Sequence, residues 1–251
     1  MNIPIPTARD ILTFRQDGGF LTVASDTLGA IGSKPNDRVS IDPETCGRMT
    51  ARVCLMETLA VGAIPFALTA LTCNEHDPTG AHLLAGIMQE LADAGFKDLP
   101  VGGSTEDNMP TDMTALGLAI LGACDRLSWR LAQAEDTVYL LGRPYVGQEV
   151  LEHLTKLPTS SDILRLRELS HVGDVIPCGS RGIGWELRVL ELETGLSVNL
   201  DSGIDEVLLK KSAGPATCAI VTSNKQLAYG EHPLIHLGTL SQPSHKKSSD
   251  S

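Results

Sequence analysis

The chain has few positive charges, few aromatic residues, no paired cysteines and no long apolar run. Lys and Arg number 20 against 31 Asp and Glu, a formal net charge of −11. No basic stripe with interleaved aromatics offsets it, and aromatics are only 4% of residues. Such a field repels phosphate polymers, so nucleic acids and anionic membrane surfaces are excluded as expected partners. The six cysteines (46, 54, 73, 124, 178, 218) are widely spaced and form no CxxC pair. They read as small buried hydrophobes in a reducing compartment, not as a disulfide frame or zinc site. "ALGLAILGAC" is the longest apolar run, well short of the roughly 18 residues that a membrane span needs. The N-terminus has neither the basic nor the apolar region of a signal peptide. A cytoplasmic location is therefore expected. There is no Walker P-loop, GxGxxG fingerprint or GxSxG elbow, and the seven histidines show no HExxH spacing.

What is present is alternating strand and helix patterning over 251 residues, enough for one large or two moderate domains. "ILTFRQ" and "FLTVASD" flank Asp17-Gly18-Gly19, a hairpin signal because those residues tolerate positive φ. "RVSI" is a further strand. Asp42 then caps a helix with Pro43 in its first position, and Cys46, Met49, Val53, Met56 and Ala60 form one apolar stripe. Glu57 lies about 60° from the centre of that stripe, flanking the buried face. After the strand "PFALTALTC", a second helix is expected to bury Leu84, Ile87, Met88 and Leu91 and to stop at Gly95. The polar loop "LPVGGSTEDNMPTDM" and the strand "TALGLAILGA" close a first unit, residues 1–125. A second unit, 126–240, contains the strand "TVYLLG", helices in "GQEVLEHLTKL" and "SDILRLREL", a Gly-rich loop opening a helix in "GDVIPCGSRGIGWELRVLELETG", and strands near "LSVNL", "PATCAIV" and "IHLGTL". Residues 241–251, polar and without apolar pattern, are expected to form a disordered tail.

Two loops carry oxygen ligands beside glycines. The first, "SDTLGAIGSKPND", holds Asp26, Lys34 and Asp37; the second holds Gly102, Gly103, Ser104, Thr105, Glu106 and Asp107. Hard oxygen donors suit Mg²⁺, which binds through one or two carboxylates plus substrate phosphates, and glycines let backbone N–H groups approach a phosphate. Read singly, each loop is an ordinary solvated turn; the pair, with Glu57, points to a site. "EHD", Glu75 to Asp77, reads as a loop, since neighbours on an extended segment point opposite ways. "CGSRGIG", just before a helix, could cradle an anion.

At "ASDTLGAIGSKP", "METLAVGAIP", "GGSTEDN" and "PCGSRGIGWE" the sequence resembles the PurM/ThiL superfamily, over roughly residues 15 to 225, and within it the α-ribazole kinase branch. Two departures separate it from the thiamine-monophosphate kinases: the helix acid is Glu57, and Ser104 replaces an acid of the "GGDT"-like loop. The resemblance implies an α+β, PurM-like fold of two domains. The first would be an α+β domain that pairs with its twin in a homodimer through a β-barrel-type interface, and the second an α/β domain. ATP would bind in the cleft. It further implies Mg²⁺ on Asp26, Glu57 and Glu106, with Asp107 as a further candidate. Lys34 and the Gly102–Gly103–Ser104–Thr105 backbone would face phosphates, with Asp37 secondary. Asp174, Gly179 and Ser180 would meet a small-molecule nucleoside. The implied reaction is ATP-dependent phosphorylation of the ribose 5′-hydroxyl of α-ribazole, with Asp26 or Asp174 orienting the hydroxyl or taking its proton. Three alternatives stay open: another ATP-dependent kinase or ligase of the superfamily; a nucleotide-binding protein without turnover, which Ser104 would favour; and an acidic dimeric domain whose loops only solubilise it.

Overall fold

The computed structural model describes residues 3–243, so the tail expected from Ser241 onward lies almost wholly outside the described residues. The first half builds one six-stranded sheet in the order β1-β2-β3-β8-β6-β7. Its strands are β1 (Ile3–Ile5), β2 (Ile11–Gln16), β3 (Gly19–Gly29), β6 (Ile64–Thr72), β7 (Val101–Ser104) and β8 (Ala115–Cys124). Two short strands, β4 (Ile31–Gly32) and β5 (Val39–Ser40), pair in parallel beside it. The expected hairpin is there: Gln16 faces Gly19 across the Asp17-Gly18 turn, and Ile11 faces Ala24. Beyond Ala24, residues 25–29 of β3 pair with β8 alone, leaving the other edge of that segment open. β7 is a strand where the sequence suggested only a polar loop. It runs parallel to β6, the two backbones bonded from Leu68–Val101 to Leu71–Ser104.

Helix α1 (Pro43–Ala60) starts at Asp42, whose side chain accepts the Thr45 N–H at 2.7 Å. It is buried well beyond its single stripe. Cys54 and Leu55 join the core of the first half, while Met56, Leu59 and Ala60 pack with Tyr139, Ile163 and Val221 of the second half. Helix α2 (Ala81–Asp93) crosses it backbone to backbone. A Cβ on Gly47 would stand 1.9 Å from the Leu83 carbonyl oxygen, and one on Gly86 1.8 Å from that of Glu44. That crossing corrects the expected core face of α2: Leu83, Ile87, Glu90 and Leu91 are buried, while Leu84 and Met88 are exposed. Glu90 is held inside by Arg52, whose Nε and Nη2 each donate at 2.8 Å.

The second half is a five-stranded sheet, order β10-β12-β9-β13-β11, antiparallel throughout. An α/β domain would have parallel strands, so this half is α+β as well. Its strands are β9 (Thr137–Gly142), β10 (Val172–Pro177), β11 (Ser197–Leu200), β12 (Cys218–Ser223) and β13 (Leu234–Ser241). Its helices are α3 (Gln148–Glu152), α4 (Ser160–Glu168), α5 (Ile183–Thr194) and α6 (Glu206–Lys210). Among the described residues no sheet closes into a barrel, and no helix is long and apolar enough to cross a membrane. The N-terminal segment straps the halves together. Arg9 is buried against Asp174 and donates to the Val175 carbonyl at 2.9 Å, while Thr7 donates to Glu193.

Candidate active site

Between the halves lies a cleft of about 1220 Å³, bounded by the strap, the open edge of β3, α1, the segment leading into α3 and the loop before α5. Three carboxylates reach it: Asp10 at the end of the strap, Asp26 on β3 and Glu57 on α1. A fourth, Glu186 on α5, is 5% exposed and stands behind the loop. A Cβ on Gly179 would lie 3.8 Å from Glu186 Oε1 and 3.9 Å from Asp10 Oδ2, so these two acids converge on one point of the cleft wall. The loop can fold this way because Gly182 adopts φ +82°, where any side chain would strike the Leu209 and Lys211 carbonyls.

These acids are poorly compensated. Burial pushes Asp26 up, and the charge of Asp10 adds to it. Burial lifts Glu57 well above the ordinary carboxylate range, reinforced by Glu186, Asp10 and Asp26. Burial and Asp10 bring Glu186 from 4.5 to about 7. Among the described lining residues the one cationic side chain is Arg9, and Asp174 already holds it. Arg181 pairs with Asp10 at 3.1 Å, its guanidinium lying 4.0 Å over the Trp185 ring. Asp26 and Glu57, with no cation paired to them, offer the carboxylate oxygens that a hard divalent ion requires. Asp162, Glu231 and His232 also cluster, outside this cleft. There Tyr229, Thr159 and His232 bond to Asp162, and Arg165 pairs with Glu231.

The remaining sequence candidates divide into three places. Gly179 and Ser180 line the cleft. Asp174 does not: fully buried, it accepts Arg9 and the N–H groups of Arg130, Leu131 and Ala132, each backbone bond 2.8 Å long. That carboxylate is occupied in fixing the strap and the 130–132 segment to β10. The second loop lies elsewhere. Gly102, Gly103, Ser104 and Thr105 line a separate cavity of about 280 Å³ with His76 and Leu84. Asp26 and Gly103 share one cross-sheet row through Leu118 and Ala70, which puts them about 14 Å apart at ordinary strand spacing. Within one chain, then, Glu106 and Asp107 do not join Asp26 and Glu57 in the cleft. Glu106 accepts the Asn108 N–H at 2.9 Å; Asp107 accepts His76 N–H at 2.7 Å and the Thr105 hydroxyl at 2.6 Å.

Lys34 and Asp37 are engaged as well. Lys34 donates to Glu75 at 2.8 Å and to the Thr111 carbonyl at 3.0 Å. Burial would raise Glu75, but the bonds from Lys34 and Thr79 outweigh it and hold it at about 2. Asp37 accepts Lys34 N–H and both donors of Thr114. The sequence reading passed over Asp10 and Glu186. Asp10 was within reach: continuing the hairpin register one step past Ile11–Ala24 sets it opposite Ser25, beside Asp26. Glu186 had no such signal, since only tertiary packing brings α5 to the cleft.

No family model matches the chain, and no curated protein matches it. Solved structures do. Thiamine monophosphate kinase from Aquifex aeolicus superposes with a TM-score of 0.64 at 13% identity, covering 89% of this chain and 86% of that one. The HypE–HypF complex gives 0.66 at 12% identity, covering 94% and 88%. Thermotoga maritima PurL complexed with ATP gives 0.57 at 17% identity, and its match covers 94% of this chain but 38% of that one. These neighbours are members of the PurM/ThiL superfamily. The chain has their fold. At such identities the likeness concerns the fold alone.

Proposed function

We propose that this protein is an ATP- and Mg²⁺-dependent kinase that phosphorylates a hydroxyl of a small nucleoside, specifically the ribose 5′-hydroxyl of α-ribazole. One observation carries the reading: Asp10, Asp26 and Glu57 converge on a cleft of about 1220 Å³ whose one lining cation is already paired. The thiamine monophosphate kinase fold, known in a complex with AMPPCP and TMP, supports it. Asp26 and Glu57, with Asp10, would hold the metal ion, which neutralises phosphate charge when bound.

The remaining chemistry falls to the chain itself. The acceptor hydroxyl oxygen forms a bond to the γ-phosphorus as the bond to the β-phosphate bridging oxygen breaks and ADP leaves. The hydroxyl proton passes to a cleft carboxylate, Asp26 being the candidate that the sequence offers and the cleft contains. Asp174 positions the strap that carries Asp10. Gly179 and Ser180 border the acceptor. We assign the Gly102–Thr105 backbone to the phosphate end of the site, and Glu106 and Asp107 to its metal ion, through a homodimer in which a second copy brings its loop to this cleft; Lys34 and Asp37 have no part in it, each being held by its own partners.

The outer face of the six-stranded sheet suits such pairing, for Ile64, Phe66 and Leu71 on β6 are 44–56% exposed. Sedimentation velocity should show twice 26.7 kDa for the wild type and the monomer for Leu71→Lys; a monomeric wild type would remove the dimer. The function itself is tested by incubation with ATP, Mg²⁺ and α-ribazole, followed by mass spectrometry. ADP and the nucleoside monophosphate should form together. Product from a different nucleoside alone would displace α-ribazole, and a nucleotide-dependent rise in Tm without product would favour a binding protein.

A further inference from the structure

The one cation that lines the cleft is paired with Asp174, but another stands at the rim. Arg181 Nη2 donates to Asp10 Oδ1 at 3.1 Å. Of the ion pairs among the described residues, only this one joins a cation to a carboxylate that lines the cleft. Lys211, next to the lining residue Ser212, is held by Glu149, and Arg9 by Asp174; neither acid lines the cleft.

The Arg181 pair is built to exchange. Its side chains are 48% and 60% exposed, and ion pairs that open to water are weak. A divalent ion, with twice the charge and a closer approach, outcompetes a guanidinium for the same oxygens. The guanidinium also rests 4.0 Å over the Trp185 ring. Stacking uses the face of the group and leaves its edge N–H donors free, so Arg181 stays at the rim when Asp10 lets go. Its loop is fixed as well: the Gly182 and Ala213 N–H groups donate to the Gly179 carbonyl at 3.2 and 3.1 Å.

We propose that Arg181 is an oxyanion-binding residue of the cleft, kept on Asp10 until a divalent cation takes that carboxylate and frees the guanidinium for a phosphate oxygen. Cation binding thereby promotes anion binding. The release step rests on the metal reading; the anion step does not.

Removing the side chain should move the two ligands in opposite directions. Arg181→Ala should bind Mn²⁺ alone at least threefold more tightly than the wild type, read by electron paramagnetic resonance. It should bind Mg²⁺–AMPPCP at least tenfold more weakly, read by calorimetry. A loop merely loosened by the substitution would weaken both; that result, or an unchanged affinity for either, overturns the exchange. A metal-free cycle isolates the anion step. With chelator present, Asp10→Asn should bind inorganic pyrophosphate at least tenfold more tightly than the wild type, and Asp10→Asn/Arg181→Ala should lose that gain. No gain, or the same gain without Arg181, overturns the anion site. The expected cycle without phosphorylation of α-ribazole leaves Arg181 as an anion site and removes the kinase.

Discussion

Asp174 is fully buried and Asp26 half-buried, and their surroundings differ in kind. Asp174 receives a guanidinium and three backbone N–H groups, so its charge is spent on structure. Asp26 and Glu57 receive no side-chain donor, and burial raises both. A half-buried carboxylate with no side-chain donor is available to a ligand. Glu186 makes this measurable. Its folded value of about 7 lies above the ordinary 4.5, so between those values the folded chain holds a proton that the unfolded chain has released. The stabilisation is complete below 4.5 and is lost as pH rises toward 7. In metal-free buffer the Tm of the wild type should fall between pH 4.5 and 8 by roughly 5 °C more than that of Glu186→Gln. Parallel curves would show that Glu186 does not hold that proton.

At the scale of elements, helix α1 shows how far the sequence could be read. Its start and its first stripe were legible because Asp42 and Pro43 act locally and the apolar period is regular. Its remaining buried faces were not, because they belong to neighbours distant in sequence. The same limit moved the buried face of α2 from Leu84 and Met88 to Leu83 and Glu90, since an acid reads as exposed until Arg52 is placed beside it. Glu90→Leu would leave Arg52 buried and unpaired and should cost about 3–5 kcal/mol in urea unfolding. The double variant Arg52→Met/Glu90→Leu should recover much of that loss; a fully stable single variant would show that the pair is not needed. Strand β10 was hidden for a different reason. Pro177 and the glycines around it resemble a loop, and only its pairing with β12 reveals the strand.

Across the whole molecule, the acids of the cleft come from four places: the N-terminal strap, β3, α1 and α5. Three of these belong to the first half and one to the second, so the site exists only when the halves pack. The hairpin register makes Asp10 and Asp26 neighbours, and the helical wheel sets Glu57 at the rim of the buried face. Neither could show that Lys34 is neutralised by Glu75 or that Gly103 stands three strands from Asp26, because both follow from strand order. The central claim is that the cleft carboxylates hold one hard cation. Titration of Mn²⁺ into the chain with AMPPCP, read by electron paramagnetic resonance, tests it most directly. Asp26→Asn and Glu57→Gln should each weaken Mn²⁺ at least tenfold while both variants keep the wild-type circular dichroism. Wild-type affinity in both variants would contradict the account.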